Sequence, residues 1–230
     1  MANGSQHKAM DAAIQKAREI RLELSRTNLL QFTYSTMPSF RPAGFHRKYY
    51  SKLTEFAKGE IKKLMVFMPP QHGKSEGSTR RLPAFILGNS PDTKVAVISY
   101  NAPKARKFNR EIQRIIDTDE YRDIFPGVRL NVSNVVTVGS SWLRNADECE
   151  IVGFRGGFKT VGVGGALTGD PVDVLIMDDI YKDAKSAWSP VVRESISDWY
   201  DTVAETRLHN DSKQLIFLRA GMRMIWRVRF

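Results

Sequence analysis

The segment that most constrains this chain is Met68-Pro-Pro-Gln-His-Gly-Lys-Ser75, set between the apolar run Leu64 to Phe67 and a helical stretch reaching Leu87. The apolar run cut off by Pro69-Pro70 predicts a buried strand, and Gly73-Lys74-Ser75 opens a helix that continues despite Pro83. A strand entering a helix through such a loop offers unpaired backbone N–H groups and the positive end of the helix dipole, a natural seat for phosphate. Lys74 can place its charge between β- and γ-phosphates, and the Ser75 hydroxyl can ligate Mg2+. Gln71, His72, Gly73 and Glu76 complete the expected phosphate-contacting segment. Met68 stands where the usual pattern has its first glycine, so the expectation rests on the position of Gly-Lys-Ser behind a buried strand. His72 is expected to donate a hydrogen bond there, since no partner at ligand spacing supports a metal role.

A second segment answers the first. In Val172-Asp-Val-Leu-Ile-Met-Asp178-Asp179 an apolar strand delivers two carboxylates to its C-terminal end, the edge where open α/β sheets bind ligands. Asp178 is expected to hold the Mg2+ shell, and Asp179 to orient or deprotonate the attacking water. An isolated Asp-Asp is more often a polar turn, but the upstream Gly-Lys-Ser makes a hydrolytic nucleotide site the stronger reading.

Elsewhere, helical spacing covers residues 8 to 26, about 46 to 57 and Ala102 to Ile116, and apolar runs predict strands at Val95 to Tyr100 and Gln214 to Leu218. Strands alternating with helices predict an α/β fold with a mostly parallel sheet, helices on both faces and a helical N-terminal extension. At 230 residues and 42% hydrophobic the chain can bury one substantial core. The lone Cys149 excludes an internal disulfide or cysteine cluster, is expected to be an ordinary buried thiol, and suits a reducing cytoplasm. No apolar run approaches the roughly 20 residues of a membrane span, and Met1 to His7 lacks a signal peptide's apolar region, so a soluble protein without a membrane role is expected. The formal charge of +10 permits a polyanionic partner. Part of that excess comes from Arg219, Arg223, Arg227 and Arg229, which have no acid among them. Arg106, Arg110 and Arg114, four residues apart, form a basic stripe able to contact DNA phosphates without reading bases; a solvated helix face is the alternative.

The order of segments resembles the N-terminal ATPase domain of large terminase subunits from tailed bacteriophages and prophages. The resemblance is carried by Phe45-His46-Arg47, Pro69-Pro-Gln-His-Gly-Lys-Ser-Glu76, Ile98-Ser-Tyr-Asn101 and Tyr121-Arg-Asp-Ile-Phe-Pro126. It continues through Gly162-Val-Gly-Gly-Ala-Leu-Thr-Gly169, Leu175-Ile-Met-Asp-Asp179 with Lys182-Asp183, Trp199-Tyr200 and Thr206-Arg-Leu208. It spans about residues 28 to 218 and implies a P-loop NTPase of the RecA-like (ASCE) type, using ATP and Mg2+ to pump double-stranded DNA into a procapsid. The implied partners are the portal protein, the small terminase subunit and further copies in a homo-oligomeric ring, in the host cytoplasm. Phe45, His46 and Arg47 become candidates for the adenine side. The family often has glutamate after the metal-binding aspartate, where this chain has Asp179.

Three regions are expected: a helical arm or lid over 1–44, the ATPase domain over 45–218, and an aberrant tail over 219–230. After Leu218 the resembling pattern leads to Thr-Arg-Trp-His, a segment coupling hydrolysis to movement, whereas this chain continues Arg219-Ala-Gly-Met-Arg-Met. A codon choice exists for which shifting the frame from Leu218 restores that motif, so an out-of-frame tail replacing the coupling segment and a nuclease domain is expected. The competing functions are a helicase-like DNA translocase unconnected to capsids and a non-hydrolysing nucleotide- or DNA-binding assembly module.

Overall fold

Strand periodicity and helix caps account for most of the architecture. The structure, a computed structural model, describes residues 2–135, 141–167, 169 and 171–219. In chain order come helices α1 (Ala2–Thr27), α2 (Leu29–Thr36) and α3 (Gly44–Lys58), strand β1 (Lys63–Met68), and a π-helical segment (Glu76–Arg81) continuous with α4 (Leu82–Asn89). Then follow β2 (Lys94–Ser99), α5 (Ala102–Ile116), α6 (Asp119–Ile124), β3 (Glu148–Glu150), β4 (Gly157–Gly162) and β5 (Val172–Asp178). The helices α7 (Ala184–Trp188) and α8 (Pro190–Trp199) lead to β6 (Leu208–Arg219).

The strands make one sheet in the order β1-β6-β5-β2-β4-β3, parallel throughout except for β3, which runs antiparallel to β4. Alternation along the strands splits the core. Val95, Val97, Val174, Ile176, Leu215 and Phe217 point to one face and join Phe32, Leu53, Phe85 and Phe108 from the helices. Ala96, Ile98, Leu175, Met177, Ile216 and Leu218 point to the other and meet Ile196, Trp199 and Tyr200. Helices therefore cover both faces, and the carboxyl ends of β1, β6 and β5 share one edge. No helix among the described residues is long and apolar enough to cross a membrane.

Several elements differ from the sequence expectation. The segment 1–44 divides: residues 7–21 of α1 are exposed, whereas Leu29 and Phe32 of α2 are fully buried in the core. Helix α2 is short, but Asn28 caps it by accepting from the N–H groups of Leu30 and Gln31. The glycine-rich stretch after Gly153 contains β4, whose Gly157 and Gly162 lie so close to neighbouring backbone that a Cβ would fall 2.3–2.4 Å from it. The last strand begins at Leu208 rather than Gln214, and β2 stops at Ser99. The out-of-frame tail expected over 219–230 lies outside the described residues apart from the backbone of Arg219, and Thr168 of the glycine-rich motif lies outside them too.

Candidate active site

The loop after β1 is shaped by two left-handed residues, Gln71 at φ 61° and Gly73 at φ 71°. Gly73 has a second reason to lack a side chain, because a Cβ there would lie 2.9 Å from His46 Nε2. The His46 ring is buried and spans the gap between α3 and the loop. Its Nδ1 accepts the Ala43 N–H at 2.9 Å, which leaves the proton on Nε2 of a neutral ring, donating to the His72 carbonyl at 3.0 Å. Tyr49, one turn further along α3, donates to the Lys74 carbonyl at 2.6 Å, and Ser78 Oγ donates to the same oxygen at 2.9 Å. Burial pushes the Tyr49 phenol well above its ordinary value, so it stays a donor.

Lys74 reaches across the end of β6 to β5. Its Nζ lies 2.9 Å from Asp178 Oδ1 and 2.6 Å from Asp179 Oδ1. Ser75 Oγ donates to Asp178 Oδ2 at 2.6 Å, and Thr79 Oγ1 approaches the same oxygen at 3.4 Å. Asp178 is fully buried, and its Oδ1 has the ionic contact with Lys74 but no hydrogen bond of good geometry. Asp179 is 19% exposed and occupies a left-handed backbone conformation at φ 51°, its carbonyl accepting from the Tyr100 N–H at 3.1 Å. Such backbone persists where surrounding structure over-determines it, commonly at sites. Burial would lower the Lys74 amine's pKa, but the charges of Asp178 and then Asp179 override it and hold it above the usual value.

A pocket of about 250 Å³ opens beside these groups, lined by Pro69, Pro70, Gln71, Gly73, Lys74, Ser75, Glu76, Arg80 and Asp179. It is below the usual size of a whole small-molecule site, so it suits the polyphosphate end of a ligand. A more apolar groove of about 620 Å³ lies on the other side of the loop, walled by Phe45, Tyr49, Met65, Phe67 and His72. Of the residues expected on the adenine side, Phe45 lines this groove, His46 turns inward to hold the loop, and Arg47 is exposed and lines neither space. His72 donates from Nδ1 to the Pro70 carbonyl at 2.6 Å and lies in the groove rather than the pocket. Glu76 lines the pocket but is tied to Arg80 at 2.6 Å and Arg81 at 2.7 Å.

Asp178 and Ser75 offer adjacent oxygen donors of the kind Mg2+ prefers. Among the described residues no group of three or more His, Cys, Asp or Glu could hold a metal. A divalent ion here would therefore complete its shell from substrate phosphates and water, which is how Mg2+ is usually held. The basic stripe runs along the outer face of α5, and Arg114 at its end lines a cavity with Glu76, Arg80 and Glu111. Arg106, Arg110 and Arg114 are exposed, but Arg106 Nε is paired with Asp147 at 2.7 Å. Sequence reasoning missed Tyr49, Thr79 and Arg80, and gave His46 a different task; Thr79 alone had a signal, one helical turn after Ser75.

A family model described as "Terminase large subunit, T4likevirus-type, N-terminal" matches residues 65–214. Similar solved structures include the large terminase ATPase domain of Thermus phage P74-26, at 15% identity and a TM-score of 0.48, covering 80% of this chain and 66% of that one. The large terminase of bacteriophage HK97 is similar at 11% identity and a TM-score of 0.47, covering 77% of this chain and 33% of that one. No curated protein matches. With the family model matching well over half of its length, the chain belongs to the large terminase subunit family and represents its N-terminal region.

Proposed function

We propose that this chain is the ATP-hydrolysing part of a motor that packages double-stranded viral DNA into a procapsid, with Mg-ATP seated between the loop at Lys74 and the carboxylates of Asp178 and Asp179. The observation that carries the proposal is the convergence of Lys74 Nζ on both carboxylates, within 2.9 Å, from strands that are not neighbours. Adenine lies toward the groove at Phe45. Membership of the family supports a setting in the host cytoplasm with portal, small subunit and further copies in a ring as partners.

The chain's own groups divide the labour. The backbone of Gln71 to Ser75 and the Lys74 amine bind phosphate, and His46 and Tyr49 fix that backbone from behind. Asp178 and Asp179 both hold the Lys74 amine, so an incoming triphosphate competes with them for it, and Asp179 acts as the base that accepts a proton from water. Ser75 and Asp178 would hold Mg2+, which when bound offsets the charge of the phosphates. DNA would meet the outer face of α5 through Arg110 and Arg114, with Arg106 joining on release from Asp147.

The test is ATP turnover by the wild-type chain with Mg2+, with and without portal, beside Lys74→Ala and Asp179→Asn. Turnover in wild type that disappears in both variants supports the proposal, and stimulation by portal separates a packaging motor from a helicase-like translocase. Nucleotide binding without turnover in wild type would favour a non-hydrolysing assembly module.

A further inference from the structure

Arg80 is the second cation lining the phosphate-loop pocket, and neither its position nor its partners follow from the loop motif. It sits in the π-helical segment after the loop, where the Leu82 N–H bonds the Gly77 carbonyl five residues back. Single π turns of this kind are rare and occur frequently at functional sites. Two carboxylates hold the guanidinium: Nη1 lies 2.6 Å from Glu76 Oε2 within the same segment, and Nε lies 2.6 Å from Glu111 Oε2 on α5. Its Nη2 makes no hydrogen bond among the described residues. The side chain is 27% exposed, so it is neither locked in the core nor free in solvent.

Charge in the pocket gives this placement a direction. The Lys74 amine faces two carboxylates, so a triphosphate that competes for it gains from a second cation on the pocket wall. Arg80 is the other cation on the wall, near Asp179, and a guanidinium forms its strongest hydrogen bonds with carboxylate and phosphate alike. Phosphate and Glu111 are therefore rivals for the same donors. Glu111 lies on α5 between Arg110 and Arg114, so what Arg80 does in the pocket is felt by the helix carrying the basic stripe.

We propose that Arg80 is a phosphate-binding residue that exchanges Glu111 for the outer phosphate of a nucleoside triphosphate, so that α5 is tethered when the site is empty and untethered when it is filled. This rests on the nucleotide reading above, and the experiment separates the two. Affinity for fluorescent N-methylanthraniloyl-ATP and -ADP is measured by titration with Mg2+ for wild type, Lys74→Ala, Arg80→Ala, Arg80→Lys and Glu111→Gln, with a thermal melt of each. Arg80→Ala is expected to weaken ATP by roughly tenfold or more while leaving ADP little changed, as loss of a charge-assisted hydrogen bond would. Arg80→Lys is expected to recover part of that loss, and Glu111→Gln to tighten ATP several-fold because it removes the rival. Opposite signs for Arg80→Ala and Glu111→Gln distinguish phosphate binding from a merely structural ion pair, whose loss from either end acts in the same direction. An ATP-to-ADP preference unchanged in Arg80→Ala, or weakening by Glu111→Gln, would overturn the proposal while binding lost in Lys74→Ala kept the nucleotide reading intact. Failure of wild type to bind either nucleotide would overturn both.

Discussion

At Lys74 burial and charge pull in opposite directions, and the two aspartates win. Lys74→Ala leaves Asp178 and Asp179 facing one another without their cation, and breaking a buried pair in this way costs about 3–5 kcal/mol. We therefore expect both a lower melting temperature and loss of nucleotide binding, measured by calorimetric unfolding and by titration with nucleotide. Asp179→Asn keeps the size of the side chain but removes its capacity to take a proton. It should bind nucleotide nearly as wild type does and turn it over at least about a hundredfold more slowly; turnover at the wild-type rate would show that Asp179 is not the base. Cys149 offers an independent check on the fold, since burial pushes its thiol up to about 12 and its side chain is fully covered. Alkylation by iodoacetamide at pH 8 should be slow in the native chain and fast in denaturant, and rapid native labelling would contradict the packing of β3 against β4. Lys74, Ser75, Asp178 and Asp179 were legible because each stands at a fixed distance from the end of an apolar run. His46 and Tyr49 were not legible as loop supports, because a side chain bonding a backbone carbonyl 25 or 26 residues away leaves no spacing in the sequence.

Elements were legible in proportion to how cleanly their apolar residues repeat. Helix α5 buries Ala105, Phe108, Asn109, Ile112, Ile115 and Ile116 and is capped by Asn101, so both its face and its start could be read in advance. Strands β2 and β5 are near-continuous apolar runs for the reason that both of their faces are covered. Strand β4 carries glycines, where close neighbours exclude side chains, and its pattern is lost among loop glycines. The π-helical segment was read as the first turns of an ordinary helix, since an extra residue per turn changes no residue type that a propensity scale would register. Its ion pairs give that segment a pH dependence. Burial alone would raise the Glu76 carboxyl, but Arg81 and Arg80 hold it below its ordinary value of 4.5. The folded-state pKa is thus the lower one, so the stabilisation is complete above pH 4.5 and is lost as pH falls through the depressed value. Wild type followed by circular dichroism should lose stability in acid more steeply than Glu76→Gln, and parallel acid curves would remove Glu76 from the account.

Across the whole molecule, the site and the basic stripe are joined through α5, whose inner face packs on the sheet and whose outer face carries Arg106, Arg110 and Arg114. Net charge alone does not identify a DNA surface, because +10 includes arginines of the terminal tail that are not matched by acids. The distinction is measurable through counterion release. Each phosphate neutralised on duplex DNA contributes about −0.9 to the slope of log K against log salt concentration. If α5 is the surface that meets DNA, Arg110→Ala combined with Arg114→Ala should flatten that slope by about 2, in titrations of a fluorescent duplex across a range of salt. Arg106→Ala should act more weakly, since Asp147 already competes for that guanidinium. Exposed Lys58, at the end of α3, serves as the control of equal charge. An equal loss per charge from Lys58→Ala would mean that DNA senses only the overall field, and α5 would then be an ordinary solvated helix face.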